Sequence, residues 1–205
     1  MASQTPKELF DLGVKSNKAK DFTQAKKYFE KACNLNYAKG CVSLGGLYEG
    51  ENLVIGENPS EKLVKERLKK AIQYYSKACE LNLGVSCSLL GSLYQNGNGV
   101  KKDLKKAFAL YAKACGLKEG DGCLRLGEMQ RSGEGVVKNE KQAAEKFEKA
   151  CQLGKEEACE MVTYKGLCEL GHKEACEIFS LEVLCKLSDL KACDMSYDKK
   201  KALGF

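Results

Sequence analysis

The cysteines constrain this chain more than any other residue. Twelve occur in 205 residues, at positions 33, 41, 79, 87, 115, 123, 151, 159, 168, 176, 185 and 193. Taken in order they form six pairs, and the members of each pair stand eight positions apart. Every pair reads Cys-x-Leu-x5-Cys: Cys33 and Cys41 with Leu35, Cys79 and Cys87 with Leu81, Cys115 and Cys123 with Leu117, Cys151 and Cys159 with Leu153, Cys168 and Cys176 with Leu170, Cys185 and Cys193 with Leu187. Six copies of one spacing imply six copies of one local geometry.

The distance between pairs supplies a period. The first cysteines of successive pairs are separated by 46, 36 and 36 residues, and then by 17 twice. A fixed spacing of this size marks tandem structural repeats. The 46 is one 36-residue unit plus a ten-residue insertion, and the 17 is about half a unit.

Ahead of the first four pairs stand Ala-rich amphipathic runs: 21–33 (DFTQAKKYFEKAC), 68–79 (LKKAIQYYSKAC), 104–115 (LKKAFALYAKAC) and 139–151 (NEKQAAEKFEKAC). In the second run Leu68, Ala71, Ile72, Tyr75, Ala78 and Cys79 recur at the spacing of one helix face. After the second cysteine comes another helical segment: 41–50 (CVSLGGLYEG), 87–97 (CSLLGSLYQNG) and 123–133 (CLRLGEMQRSG). Its Leu-Gly core places glycine where two helices approach closely, and a terminal glycine stops it. Helix, turn, helix at this period predicts an all-α chain, an α/α solenoid.

Each cysteine pair thus brackets an interhelix turn, and the spacing reads as six sequential disulfides. A bridge there closes a loop of about nine residues, for which chain entropy gives about 2.6 kcal/mol. Buried free thiols and structural zinc are the alternatives. Packing alone does not account for identical pairing six times, and structural zinc favours ligands two to four residues apart. Disulfides call for an oxidising compartment. Residues Met1–Lys7 carry no charged segment leading into an apolar one, so any export leader is expected to lie outside the sequence at hand.

Along the chain, Pro6 to about Lys18 reads as a capping helix with Leu9, Phe10, Leu12, Gly13 and Val14 on its apolar side. Residues 5–166 are expected to hold the cap and the full repeats, and 167–205 the shortened half-repeats and tail, in one continuous solenoid. Asn58-Pro59-Ser60-Glu61 reads as the start of a helix lengthened by about two turns, with Leu53-Val54-Ile55 as a small apolar loop before it. The compressed segment is expected to form helices of about nine residues, and the Lys199-Lys200-Lys201 tail to fray.

With Leu-Gly-x-Leu-Tyr-x2-Gly, Lys-Lys-Ala-x2-Tyr-Tyr-x-Lys-Ala-Cys and the 36-residue period, the chain resembles the Sel1-like repeat, a tetratricopeptide-like unit. With Cys-x7-Cys in every turn it is similar to the Helicobacter cysteine-rich protein family. The resemblance covers roughly residues 5–162 and weakens beyond. It implies a secreted or periplasmic disulfide-stapled solenoid, with penicillin binding and slow β-lactam hydrolysis or host interaction as the associated activities.

The residues themselves favour a scaffold over an enzyme. Ser188…Lys191 and Ser196…Lys199 match Ser-x-x-Lys at the frequency chance supplies in so lysine-rich a chain, and neither Ser-Asp-Asn nor Lys-Thr-Gly occurs. The single histidine, His172, rules out a multi-histidine metal site and sits in a turn where solvation is its ordinary role. No catalytic residue, cofactor or metal ligand is assigned. The net charge of +6 spreads as lysine doublets (Lys26-Lys27, Lys69-Lys70, Lys101-Lys102, Lys105-Lys106) on a solvated helix face without an aromatic stacking platform, so no nucleic-acid partner is expected. No run of about 18 apolar residues exists, so no membrane insertion is expected.

The expected activity is capture of a peptide or protein ligand, a host protein or cell-wall peptide, by a monomer. The ligand would lie on the concave face lined by the Leu-Gly helices. The candidate contacts are Asn17, Val42, Glu49, Ser88, Ser92, Gln95, Glu128 and Arg131, with Gly46 and Leu124 as exposed neighbours. Leu44, Gly45 and Tyr48 are expected to be structural. A weak penicillin-binding β-lactam hydrolase is the alternative, carried by the resemblance alone.

Overall fold

A computed structural model describes residues 4–54, 60–163, 166, 168, 173–186 and 189–202. The described helices are α1 (Pro6–Lys18), α2 (Phe22–Asn34), α3 (Ala38–Val54), α4 (Glu61–Glu80), α5 (Gly84–Asn96), α6 (Leu104–Gly116), α7 (Gly120–Ser132), α8 (Glu140–Gln152), α9 (Glu156–Met161), α10 (Lys173–Lys186) and α11 (Leu190–Ala202). Among the described residues there is no strand. The chain divides into two compact units, Met1–Gly122 and Cys123–Phe205.

The helix starts follow from short polar side chains. Thr5 accepts from the Glu8 amide at 3.2 Å while the Glu8 carboxylate accepts from the Thr5 amide at 2.8 Å, a capping box ahead of Pro6. Asp21, Asp103 and Asn139 each accept from the amide three residues on, at 2.9 Å, and open α2, α6 and α8. Ser60 does the same for α4, so that helix starts two residues later than a first position at Pro59 would have it. Asn58, Pro59 and Ile55 lie outside the described residues, and Leu53-Val54 belongs to the end of α3 rather than to a loop.

One turn recurs between Ala-rich and Leu-Gly helices. In the first copy the amide of Asn36 donates to the Cys33 carbonyl and that of Tyr37 to the Ala32 carbonyl. The same two bonds appear for Asn82 and Leu83, Lys118 and Glu119, and Gly154 and Lys155. This is a Schellman close, which needs a left-handed residue after the helix. Asn36, Asn82, Lys118 and Gly154 fill it with φ of 59°, 61°, 61° and 84°.

Each such turn is bridged. Cys33–Cys41, Cys79–Cys87, Cys151–Cys159, Cys168–Cys176 and Cys185–Cys193 are disulfides with Cα atoms 4.3 to 4.8 Å apart. Cys115 and Cys123 are disulfide-bonded as well. Backbones this close leave no room for a large residue beside the bridge. The position before each second cysteine is Gly40, Ser86, Gly122, Ala158, Ala175 and Ala192, all buried. A Cβ added at Gly122 would stand 2.5 Å from the Ala114 Cβ.

In the first unit the bridges do not join the most closely packed helices. In the first unit α1 packs most extensively on α2, α3 on α4 and α5 on α6; the bridged pairs α2–α3 and α4–α5 touch less. The packed pairs meet through an aromatic ring laid on a glycine: Phe29 on Gly13, Tyr75 on Gly45 and Tyr111 on Gly91. In the second unit Phe147 lies on Gly127 in the same way. A Cβ at Gly13, Gly45, Gly91 or Gly127 would stand 2.5 to 2.8 Å from a ring carbon, so these positions exclude any other residue without a shift. In the first unit the repeat is therefore a Leu-Gly helix followed by an Ala-rich helix, and the Cys33–Cys41 and Cys79–Cys87 bridges each tie one repeat to the next.

The C-terminal segment departs from expectation in two ways. Cys176 and Cys185 lie in α10, whose 14 residues exceed the nine expected. The tail does not fray at the lysines: α11 continues to Ala202, and Lys199 pairs with Glu177 of α10. Lys199, the first of the three lysines, thus has an acidic partner on α10.

Candidate interaction face

The expected contact residues fall into registers measured from the glycine of each Leu-Gly helix. Four residues after it, one turn on, stand Asn17, Glu49, Gln95 and Arg131. The aromatic ring that rests on the glycine points its para position toward this place. Where that ring is tyrosine, the register holds an acceptor: Tyr75 donates to the Glu49 carboxylate at 2.7 Å and Tyr111 to the Gln95 amide oxygen at 2.9 Å. Burial, and then the Glu49 carboxylate, hold the Tyr75 hydroxyl well above the ordinary phenol range. Where the ring is Phe29 or Phe147, the register holds Asn17 or Arg131, and both are exposed.

One residue after the glycine stand Gly46, Ser92 and Glu128. Ser92 is half-buried and accepts from the Asn96 amide at 3.3 Å; Glu128 pairs with Arg125 at 2.8 Å. Three residues before the glycine stand Val42, Ser88 and Leu124, and here the expectation fails. Ser88 is 8% exposed and donates to the Glu119 carboxylate, while Leu124 is 3% exposed. Val42 packs against the Ile72, Tyr75, Leu90 and Leu93 cluster. This register directly follows the bridging cysteine, so within the first unit it faces the neighbouring repeat rather than solvent. Leu44 is 1% exposed, Gly45 lies under Tyr75, and Tyr48 stacks on Tyr74 with centroids 5.7 Å apart.

The lysine doublets are not uniformly solvated. The Lys26 and Lys70 ammoniums stand 4.7 and 5.1 Å from the centroid of the Tyr48 ring. Lys106 stands 4.1 Å from the Tyr94 centroid and donates to its hydroxyl at 2.7 Å. Burial first, then the neighbouring Arg67 and Lys70 charges, lower the Lys26 pKa. Lys70, Lys106 and Gln142 occupy one register, as do Tyr48, Tyr94 and Gln130; in the second unit Gln130 donates to Gln142 at 2.9 Å. Lys70 and Lys106 thus pack on the tyrosine of the preceding helix, and Lys26 on that of the following one. Sequence reasoning missed this, although Tyr48 and Tyr94 each stand three residues after the glycine of their helix and Lys70 and Lys106 stand 36 residues apart.

Ser196 of the second Ser-x-x-Lys match is 5% exposed in α11, a poor place for a nucleophile. Ser188 and His172 lie outside the described residues. Among the described residues no three His, Cys, Asp or Glu side chains gather as a metal site, and no helix is long and apolar enough to cross a membrane.

Tandem helix pairs, each seated by a ring on a glycine and tied onward by a short-range disulfide, define a repeat protein of the α/α solenoid class. The Sel1 repeat model matches residues 9–37, 65–83, 84–118 and 120–155, and the chain belongs to the Sel1 repeat family. The 84–118 match spans α5–α6, in phase with the packed pairs. The Helicobacter pylori cysteine rich protein B structure is 50% identical, over 69% of this chain and 95% of that one, with a TM-score of 0.52. The Helicobacter pylori putative beta-lactamase HcpC (strain ATCC 700392 / 26695) is 69% identical over 48 residues, 23% of this chain and 17% of the relative. Beta-lactamase HcpA of strain J99 is 47% identical over 72 residues, 35% of this chain and 25% of the relative. The matched stretches therefore span a quarter or less of these curated relatives. The Sel1 repeat protein from Oxalobacter formigenes shares the fold at 22% identity and a TM-score of 0.68, covering 96% of this chain and 73% of that one.

Proposed function

We propose that this chain is an exported scaffold that holds a peptide or protein segment along its Leu-Gly helices. The observation that carries this reading is the register one turn beyond each glycine. Within the first unit it presents Asn17 to solvent and Glu49 and Gln95 half-exposed beside tyrosine hydroxyls; within the second it presents Arg131 to solvent. Rigid helices carrying polar groups at a fixed repeat suit an extended chain whose backbone groups also recur. The disulfides support an extracellular or periplasmic setting, because the cytosol would keep them reduced.

The test is a peptide array or a pull-down from candidate host and cell-wall material, with Arg131→Glu and Gln95→Ala variants. Loss of about tenfold or more in affinity on Arg131→Glu is expected, as for a central contact. Ligands captured equally by both variants and the parent would remove this face. Titration of free thiols in denaturant checks the export reading: near zero is expected, and twelve reactive thiols in protein purified from its native compartment would overturn it.

The names of the relatives favour a second reading, weak β-lactam hydrolysis. It is tested by steady-state turnover of a chromogenic β-lactam, with Ser188→Ala and Ser196→Ala. The scaffold reading expects no turnover above buffer. Turnover abolished by one serine would establish the enzyme instead.

A further inference from the structure

The lengthened helix of one repeat borders a cleft. Helix α4 has 20 residues where α6 and α8 have 13, and the extra turns stand beside the loop joining α5 to α6. Between them lies a cleft of ≈ 650 Å³, within the ordinary range of ligand pockets. Val64 and Leu68 of α4 and Val100 of the loop, all half-buried, form its apolar floor. Gly99, with φ +73°, lets the loop lie against α4: a Cβ there would stand 2.5 Å from the Leu68 Cβ. Lys65 and Lys69, one turn apart on α4, and Lys101 across the cleft are exposed on the rim. Of the lining residues Glu61 alone is acidic.

We propose that this cleft docks an acidic peptide segment bearing one aliphatic anchor residue. Three ammoniums against one carboxylate set the charge of the occupant. Three small aliphatic side chains make a seat for a leucine or isoleucine side chain, with carboxylates on either side reaching the rim lysines. No aromatic residue lines the cleft, so it offers no base a stacking surface. The proposal rests on the reading of the chain as a peptide-binding scaffold, and it adds the class of peptide and a site away from the Arg131 register.

The experiment is fluorescence anisotropy with a labelled glutamate-rich peptide carrying one central leucine. The protein is compared with Lys65→Glu/Lys69→Glu/Lys101→Glu and with a charge-matched variant, Lys27→Glu/Lys31→Glu/Lys39→Glu, whose three lysines are exposed elsewhere. Circular dichroism checks that each is folded. Saturable binding, weakened about tenfold by the cleft variant and much less by the matched one, is expected. Replacing the peptide's leucine with serine weakens binding further. Equal losses in both variants would show attraction to net charge alone and overturn the proposal. Tighter binding of an oligothymidylate than of the peptide would overturn it as well. If the acidic peptide fails to bind while array ligands still respond to Arg131→Glu, the cleft inference falls and the scaffold reading stands.

Discussion

Tyr75, Tyr111 and Phe147 occupy one place in three repeats, and a hydroxyl is the difference among them. Phe147 is fully buried without one, so the ring alone satisfies the seat. Tyr75→Phe removes the bond to a carboxylate and should cost about 1–2 kcal/mol in urea unfolding, whereas Tyr111→Phe, bonded to a neutral amide, should cost about 0.5–1 kcal/mol. The pH dependence has a definite sign. The Tyr75 pKa is raised on folding, so its stabilisation is fully present below the unfolded value near 10 and is lost as pH rises from there toward the folded value. Stability of the parent should therefore fall more steeply above about pH 10 than that of Tyr75→Phe. Gly91→Ala places a methyl 2.8 Å from the Tyr111 ring and should destabilise by about 1–3 kcal/mol. Counting positions along a helix revealed which way Glu49 and Gln95 point. It did not reveal that a facing hydroxyl uses them, because that depends on the partner helix, although the Tyr, Tyr, Phe order was there to be read.

At the scale of the element, the turn is the unit that repeats most faithfully. Lys118 alone among Asn36, Asn82, Lys118 and Gly154 has a side chain with no preference for a left-handed backbone. Lys118→Gly should therefore raise the unfolding free energy in urea by up to about 1 kcal/mol, the steric relief being partly offset by glycine's freedom when unfolded. Replacing Cys79 and Cys87 together by alanine opens one short loop and should cost about 2.6 kcal/mol if chain entropy governs it. Boundaries that follow from local chemistry were legible: Thr5, Pro6 and Glu8 mark the start of α1 as observed. Ser88 and Leu124 were misplaced because a helix has a face toward its partner and another toward the next repeat, and only the second cysteine's neighbourhood tells them apart. The tail looked loose because the partner of Lys199, Glu177, sits in another helix.

For the whole molecule, what matters is that every described bridge spans a single turn. Stability in such an array is close to a sum of repeat and nearest-neighbour terms. Loss of the Cys79–Cys87 bridge should accelerate amide exchange in α4 and α5 and leave α1 nearly unchanged; acceleration spread evenly through the first unit would contradict this. The fold class was legible because a period survives in the sequence, whereas the ligand is not, because the exposed registers vary from repeat to repeat.

Twelve thiols admit on the order of ten thousand pairings. Here ten of the sulfurs join the one eight residues away, which is the first partner to emerge as a chain is threaded from its amino end. Near the carboxyl end the competing gap is only nine residues, from Cys159 to Cys168 and from Cys176 to Cys185, so distance barely discriminates there and order of arrival does. A polypeptide oxidised as it is delivered would find its native connectivity by sequence of events, with little need of a shuffling catalyst.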